Sequence, residues 1–207
     1  VEEAIQKSCN LIVCFHPIIF KGITKFTGSS HVVRAIRKAI KNDIAIYAIH
    51  TALDNQPYGV SYGLSSALQL KNTSVLVPKE STLKKLSFYV PLQNAEKIKQ
   101  ALFTVGAGSL GEYDECSFSV EGEGSFRPSV KSNPHIGEKG KRHLEPEKQV
   151  HMVFKKHMEK ALIQALMENH PYEEVAYEIS TLENTNQSLG MGMIGDLQRE
   201  MKPDVFI

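Results

Sequence analysis

Residues Leu11-Ile12-Val13-Cys14-Phe15 form an unbroken apolar run that stops at His16-Pro17. A continuous run, as opposed to an alternating one, is the pattern of a strand buried on both faces. Pro17 has no amide hydrogen to donate and restricts His16 to extended backbone, so the strand has to end there. His16 therefore stands at the carboxyl end of a buried strand, where open parallel sheets bind ligands. The plain alternative is a histidine that only closes the strand.

The residues that follow bear on the choice between the two. Lys21 to Ser30 is rich in Gly, Thr and Ser and reads as a loop, with Ser29 or Ser30 placed to cap the next helix. Val32, Val33, Ile36 and Ile40 then recur at helical spacing, with Arg34, Arg37, Lys38 and Lys41 mostly off that stripe. Asn42-Asp43 ends the helix, and Ile44 to Ile49 is a second buried strand. Strand, helix and strand in this order predict a parallel, right-handed crossover. His50-Thr51-Ala52-Leu53-Asp54 follows at once. Neighbouring strands lie about 5 Å apart, so His16, His50 and Asp54 are expected at one rim of the sheet. Neutral imidazole and carboxylate are ordinary ligands for zinc, iron or manganese. From the residues alone a metal or phosphate site at the rim and a histidine that only closes the strand both stay open, as does Asp54 as a helix cap.

Composition excludes several classes. A hydrophobic content of 42% and a charged content of 23% are those of a soluble globular chain. A net charge of +1 gives no field that recruits nucleic acid or acidic membranes. The basic residues Lys131, Lys139, Lys141 and Arg142 are interleaved with Glu138 and Glu145 and read as a solvated loop. No apolar run approaches the roughly 20 residues that span a bilayer, and nothing resembles a signal peptide. Cys9, Cys14 and Cys116 lack metal spacing; Cys14 reads as core, and the odd, sparse count suits a reducing, cytoplasmic compartment. The chain opens on a helical pattern without an initiator Met and stops on Val205-Phe206-Ile207. Both ends read as cut from something longer.

Gly59 to Leu70 reads as a helix, Thr73 to Val77 as a third strand and Pro78 to Thr82 as a linker. A different pattern begins at residue 83 and repeats. Lys85 to Val90 is a strand, Asn94 caps a helix that turns Ile98, Ala101 and Leu102 inward, and Ser117 to Val120 is a strand. Later, Gln149 to Phe154 is a strand, His157 to Asn169 a helix, and Val175 to Ile179 a strand. Glu96-Lys97 with Gln100-Ala101-Leu102 is echoed by Glu159-Lys160 with Gln164-Ala165-Leu166. Two such units in tandem predict the ferredoxin-like plan. Between them, Gly122 to Pro128 and Ser132 to Gly137 read as a hairpin or long loop, with Arg127 as an anion or partner contact in the alternative. His170-Pro171 reads as a helix stop and Glu173-Glu174 as a solvated face. Asn184 to Ser188 is a polar linker. Gly190-Met191-Gly192-Met193-Ile194-Gly195-Asp196-Leu197 is a glycine-rich strand. Its spacing fits no phosphate-loop pattern, so the glycines are read as close backbone packing.

These motifs together resemble the Nif-three-like family (NGG-one-interacting factor three), also known as GTP cyclohydrolase I type 2 homologues. The family pattern HHPLIFKG is matched by Phe15-His16-Pro17-Ile18-Ile19-Phe20-Lys21-Gly22, and HTNLD by His50-Thr51-Ala52-Leu53-Asp54. Gly124 to Pro128, Asn133 to Gly137 and His170 to Glu174 are similar to marks of an inserted domain of the PII and CutA type. The resemblance implies an α/β fold: a three-layer Nif-three-like domain with a parallel βαβ core, interrupted by a ferredoxin-like insert. Residues 1–80 would be the first half of the main domain, 83–180 the insert and 181–207 the start of the second half.

The resemblance also implies a dinuclear site for zinc, iron or manganese. His16 and Asp54 match two of the family ligands. Phe15 stands where the first of the paired histidines would be, and the family's carboxyl-terminal His/Glu pair has no counterpart here. His50 matches a position beside the metals and takes a proton-transfer or substrate-contact role. The implied function is a metal-dependent hydrolase acting on a small molecule such as a nucleotide, in a homohexamer. A non-catalytic binding or regulatory protein built on the insert is the other reading.

Overall fold

After a short helix α1 (Glu2–Gln6), β1 (Leu11–Cys14), α2 (His31–Lys41) and β2 (Ala45–Ala48) make the expected crossover. The structure, a computed structural model, describes residues 1–28 and 30–206. A 3-10 turn (His50–Asn55), α3 (Val60–Ala67) and β3 (Lys71–Lys79) follow. Then come β4 (Leu83–Pro91), α4 (Ala95–Thr104), β5 (Phe118–Phe126), β6 (His143–Lys155), α5 (Glu159–Asn169), β7 (Tyr177–Thr181), β8 (Asn186–Asp196) and α6 (Pro203–Phe206). The chain divides into two units: Val1–Pro78 with Gln187–Ile207, and Lys79–Asn186.

In the first unit β1 and β2 are parallel, with Leu11 opposite Ala45 and Cys14 opposite Ala48. The crossover helix α2 starts because the Ser30 side chain accepts from the Val32 amide at 3.2 Å, satisfying a donor the helix cannot use internally. Ser29, the other candidate cap, lies outside the described residues. Val33 and Ala39 face inward. The two strands are not buried on both faces: Leu11 is 51% and Val13 61% exposed, and Cys14 is only partly covered. Among the described residues these two strands pair only with each other, and the apolar run alternates in burial although it does not alternate in sequence.

β3 pairs with β8. Gly190 faces Val77 and Gly195 faces Lys71, so the strands run in opposite directions. A Cβ at Gly190 would lie 2.2 Å from the Val77 carbonyl oxygen, and one at Gly195 2.8 Å from that of Lys71. Close backbone approach accounts for these glycines. Pro78 and Lys79, expected in a linker, end β3, and Asn186, expected in a second linker, begins β8. Pro78 is tolerated near the strand's end, where a missing donor disturbs little of the ladder.

The second unit is a four-stranded antiparallel sheet in the order β5-β6-β4-β7, the ferredoxin-like arrangement. Leu86, Phe88 and Val90 of β4 and Val150, Met152 and Phe154 of β6 alternate onto one face. Ile98 and Leu102 of α4 and Leu162 and Leu166 of α5 close that face, and all ten side chains are 0–2% exposed. Several boundaries differ from those read in the sequence. Of the hairpin and long-loop alternatives the hairpin forms: Gly122 to Phe126 is the second half of β5, and its backbone pairs antiparallel with β6 from Gly122–Glu147 to Phe126–His143. Lys156–Met158 forms a 3-10 turn before α5, and α3 ends at Ala67. Asn94 stands before α4 but its side chain makes no cap; Oδ1 is buried without a hydrogen-bond partner.

The large hydrophobic core thus belongs to the second unit. Phe88→Ala is expected to cost about 3–5 kcal/mol, read as a lower urea midpoint. Amide hydrogen exchange is expected to be slowest at Phe88, Val150 and Met152 and fast in β1 and β2. Equal protection in the two units would contradict this uneven burial.

Candidate functional site

The carboxyl ends of β1 and β2 carry the first group of candidate residues. The parallel ladder continues past both strands: the Ile49 amide donates to the Cys14 carbonyl at 2.9 Å and the His50 amide to the Phe15 carbonyl at 2.8 Å. This extension sets His50 beside Phe15 and His16. The His16 and His50 rings are 5.7 Å apart between centroids, and Phe15 stands 4.9 Å from one and 5.6 Å from the other. His50 pays for its place with a left-handed backbone, φ +41°, a conformation that costs a non-glycine residue about 1–2 kcal/mol. Directly after it the chain turns tightly enough that a Cβ at Gly59 would lie 1.8 Å from the Leu53 carbonyl oxygen.

Asp54 lies in the same 3-10 turn as His50. Side chains in such a turn repeat every three residues, so Leu53, not Asp54, stacks beneath His50. Among the described residues no three His, Cys, Asp or Glu side chains converge on one point suited to a metal ion. The structure therefore brings His16 and His50 together and leaves Asp54 outside a closed three-donor set. The donor types suit a divalent ion; their number here does not complete its shell.

A second site lies within the ferredoxin-like unit, on the sheet face away from α4 and α5. Glu147, Gln149 and His151 alternate onto this face, opposite to Val150 and Met152. The three loop motifs Gly124 to Pro128, Pro134 to Ile136 and Tyr172 to Glu174 all border one cavity of about 450 Å³. Its loops are tied together: the Asn133 amide donates to both Glu173 carboxylate oxygens at 2.9 and 3.0 Å. Glu173 is thus a loop clasp and not merely a solvated charge. Arg127, a candidate anion contact, donates its Nε to the Gly140 carbonyl at 2.8 Å.

Sequence reasoning missed the residues deepest in this site. Glu147 sits in the charged run His143-Leu144-Glu145-Pro146-Glu147-Lys148 and looks solvated, yet it is buried and accepts from the Tyr172 hydroxyl at 2.7 Å. Burial pushes that hydroxyl well above the usual tyrosine range, and the Glu147 carboxylate pushes it the same way. Tyr172 therefore stays protonated and donates. His170, read as a helix stop, donates its Nε2 to the Tyr89 carbonyl at 2.9 Å and accepts from the Tyr172 amide at Nδ1, 3.1 Å. The signal that was available is Gly124, where a Cβ would come within 2.1 Å of Glu147 Oε2.

A family model for Duf34/NIF3 (NGG1p interacting factor 3) matches residues 1–207. The chain belongs to the NIF3 family. It is 45% identical over 202 residues to the GTP cyclohydrolase 1 type 2 homolog of Bacillus subtilis, covering 97% of this chain and 54% of that protein. The corresponding homolog of Halalkalibacterium halodurans is 36% identical over 207 residues, 100% of this chain and 56% of the relative. A crystal structure of a Bacillus cereus protein related to NIF3 superposes with a TM-score of 0.78 at 40% identity, covering 97% of this chain and 53% of that one. The chain thus spans about half the length of these NIF3 relatives. No helix among its described residues is long and apolar enough to cross a membrane.

Burial holds the His170 imidazole below its ordinary value of 6.5, with nearby His135 adding to the effect and the Tyr89 carbonyl opposing it. The unfolded chain then binds this proton more readily. His170 contributes stability that is fully present above the ordinary value and is lost as the pH falls below it. The urea midpoint is expected to fall between about pH 8 and about pH 5, and to fall less steeply in His170→Asn. An identical slope in the variant would remove His170 as the cause.

Proposed function

We propose that this chain contributes part of a divalent-metal hydrolytic site of the NIF3 kind, with His16 and Asp54 as metal donors and His50 as a proton-transfer group. The observation that carries the reading is the His50 amide donating to the Phe15 carbonyl, with φ +41° at His50. Backbone strain of this kind is maintained where the surroundings over-determine it, and it clusters at functional sites. Here it holds two imidazoles at one sheet edge. The edge is open: His16 is exposed and His50 only partly covered.

Because the donors present do not close a metal shell, no reaction step is assigned to the ion. A divalent ion in a completed site would supply Lewis acidity and a nucleophilic water near neutral pH. The name borne by the relatives, GTP cyclohydrolase 1 type 2 homolog, makes a purine nucleotide the first substrate to test. A homo-oligomeric state, hexameric by the family resemblance, belongs to the same proposal. The cavity of the ferredoxin-like unit favours a second reading, in which that unit serves binding.

Zinc titration of the chain tests the first reading. His16→Ala is expected to abolish what zinc affinity the edge has. Phe15→His is expected to raise it about tenfold or more, the order that even an outer-shell partner contributes. If both variants bind zinc as the wild type does, the assignment falls. In a protein that carries the complete site, formate release from GTP should require both the metal and His50.

A further inference from the structure

The cavity in the ferredoxin-like unit contains a buried carboxylate that no cationic side chain pairs with among the described residues. Glu147 is 8% exposed, and the Tyr172 hydroxyl engages only Oε1. The other oxygen, Oε2, is turned toward Gly124, where a Cβ would come within 2.1 Å of it. The glycine is what gives this carboxylate its room. Among the described residues no Lys, Arg or His forms an ion pair with Glu147. A carboxylate with this little exposure and a single hydrogen bond favours a cationic partner in the cavity.

The remaining walls point to the same kind of occupant. Phe126 and Tyr172, with centroids 5.9 Å apart, form an aromatic side. Glu173 and Glu174 add negative charge to the lining, and Arg127 is directed to a backbone carbonyl. An anion would meet the Glu147, Glu173 and Glu174 carboxylates, which outnumber the one guanidinium, Arg127, and the one imidazole, His135, in the lining. A neutral ligand would leave Glu147 uncompensated. We propose that this cavity binds a small organic cation, an ammonium, amidinium or guanidinium group on a flat apolar body. The charged end sits on Glu147 in a charge-assisted hydrogen bond, and the body lies against Phe126 and Tyr172, where cation–π attraction adds to burial. A volume of about 450 Å³ falls within the range of small-molecule sites. A bare divalent ion is a poorer match, because no three donors converge on a point among the described residues.

The test is a titration of the whole chain with benzamidine and with its neutral isostere benzamide, followed by backbone amide NMR. Benzamidine is expected to shift Gly124, Glu147 and Tyr172 saturably, and benzamide to bind about tenfold or more weakly. Glu147→Gln keeps the size of the side chain and an acceptor for Tyr172, and is expected to lose benzamidine affinity by a similar factor. Several results would overturn the proposal: equal affinity for the two compounds, unchanged benzamidine binding in Glu147→Gln, saturable shifts confined to other residues, or no shift with benzamidine, phenethylamine or agmatine. Displacement of benzamidine by zinc chloride at lower concentration would also overturn it, in favour of a metal. The comparison of the two isosteres uses only the wild-type chain, so it decides the matter even if the variant fails to fold.

Discussion

The register of β4 against β6 sets both faces of the ferredoxin-like unit at once. Phe88 stands opposite Val150 and Leu86 opposite Met152, and this layer is sealed by α4 and α5. Because side chains alternate along a strand, the same register turns Glu147, Gln149 and His151 to the other side. There Gln149 donates to the Tyr89 hydroxyl at 3.0 Å, and Ser87 meets His151 at 2.8 Å. A slip of one residue would put the carboxylate in the core and the phenylalanine in the cavity. The apolar layer therefore fixes where the buried charge can be. The position of Glu147 is a consequence of packing ten apolar side chains, and its room is a consequence of one glycine across the ladder.

The NIF3 edge of the first unit is built on a different principle. Little side-chain packing supports it, since Phe15 and His16 are exposed and the core of that unit is small. Its geometry comes from the main chain: two hydrogen bonds that prolong the β1–β2 ladder, a strained φ at His50 and a turn that only a glycine at position 59 allows. Backbone hydrogen bonds fix where the residues stand but leave side-chain rotamers freer than a packed wall would. Phe15, standing against both imidazoles, supplies apolar contact where the family pattern has a histidine.

Much of this was legible because the signals were local. His16-Pro17 stops a strand by removing a donor, Ser30 starts a helix by supplying an acceptor, and Asp43 ends it in the left-handed region, φ +52°. The repeat of strand, helix and strand after residue 83 follows from hydrophobic spacing and from two helices that share wording. What was not legible has one origin. A continuous apolar run predicts burial of both faces over Leu11 to Phe15, but burial depends on what lies over a strand. Composition leaves Gly122 to Phe126 open between a hairpin and a long loop, and only its partner strand, 13 residues long and paired with all of it, makes it a hairpin arm. Glu173 is exposed, as its polarity indicates, and what the polarity does not show is that an amide forty residues away in sequence claims its carboxylate.

The order of strands and helices, the end points of β1 and β2 and the likeness to the NIF3 family were determined by the sequence, because each rests on neighbours within a few residues. Which polar groups are buried, which meet, and where a cavity opens were decided by tertiary structure alone. Glu147, Gly124 and Tyr172 carry no local mark of their partnership. They become a site only when an antiparallel register and a loop closed by Glu173 bring them together, since burial and charge are set by the distance between atoms in space and not by their separation along the chain.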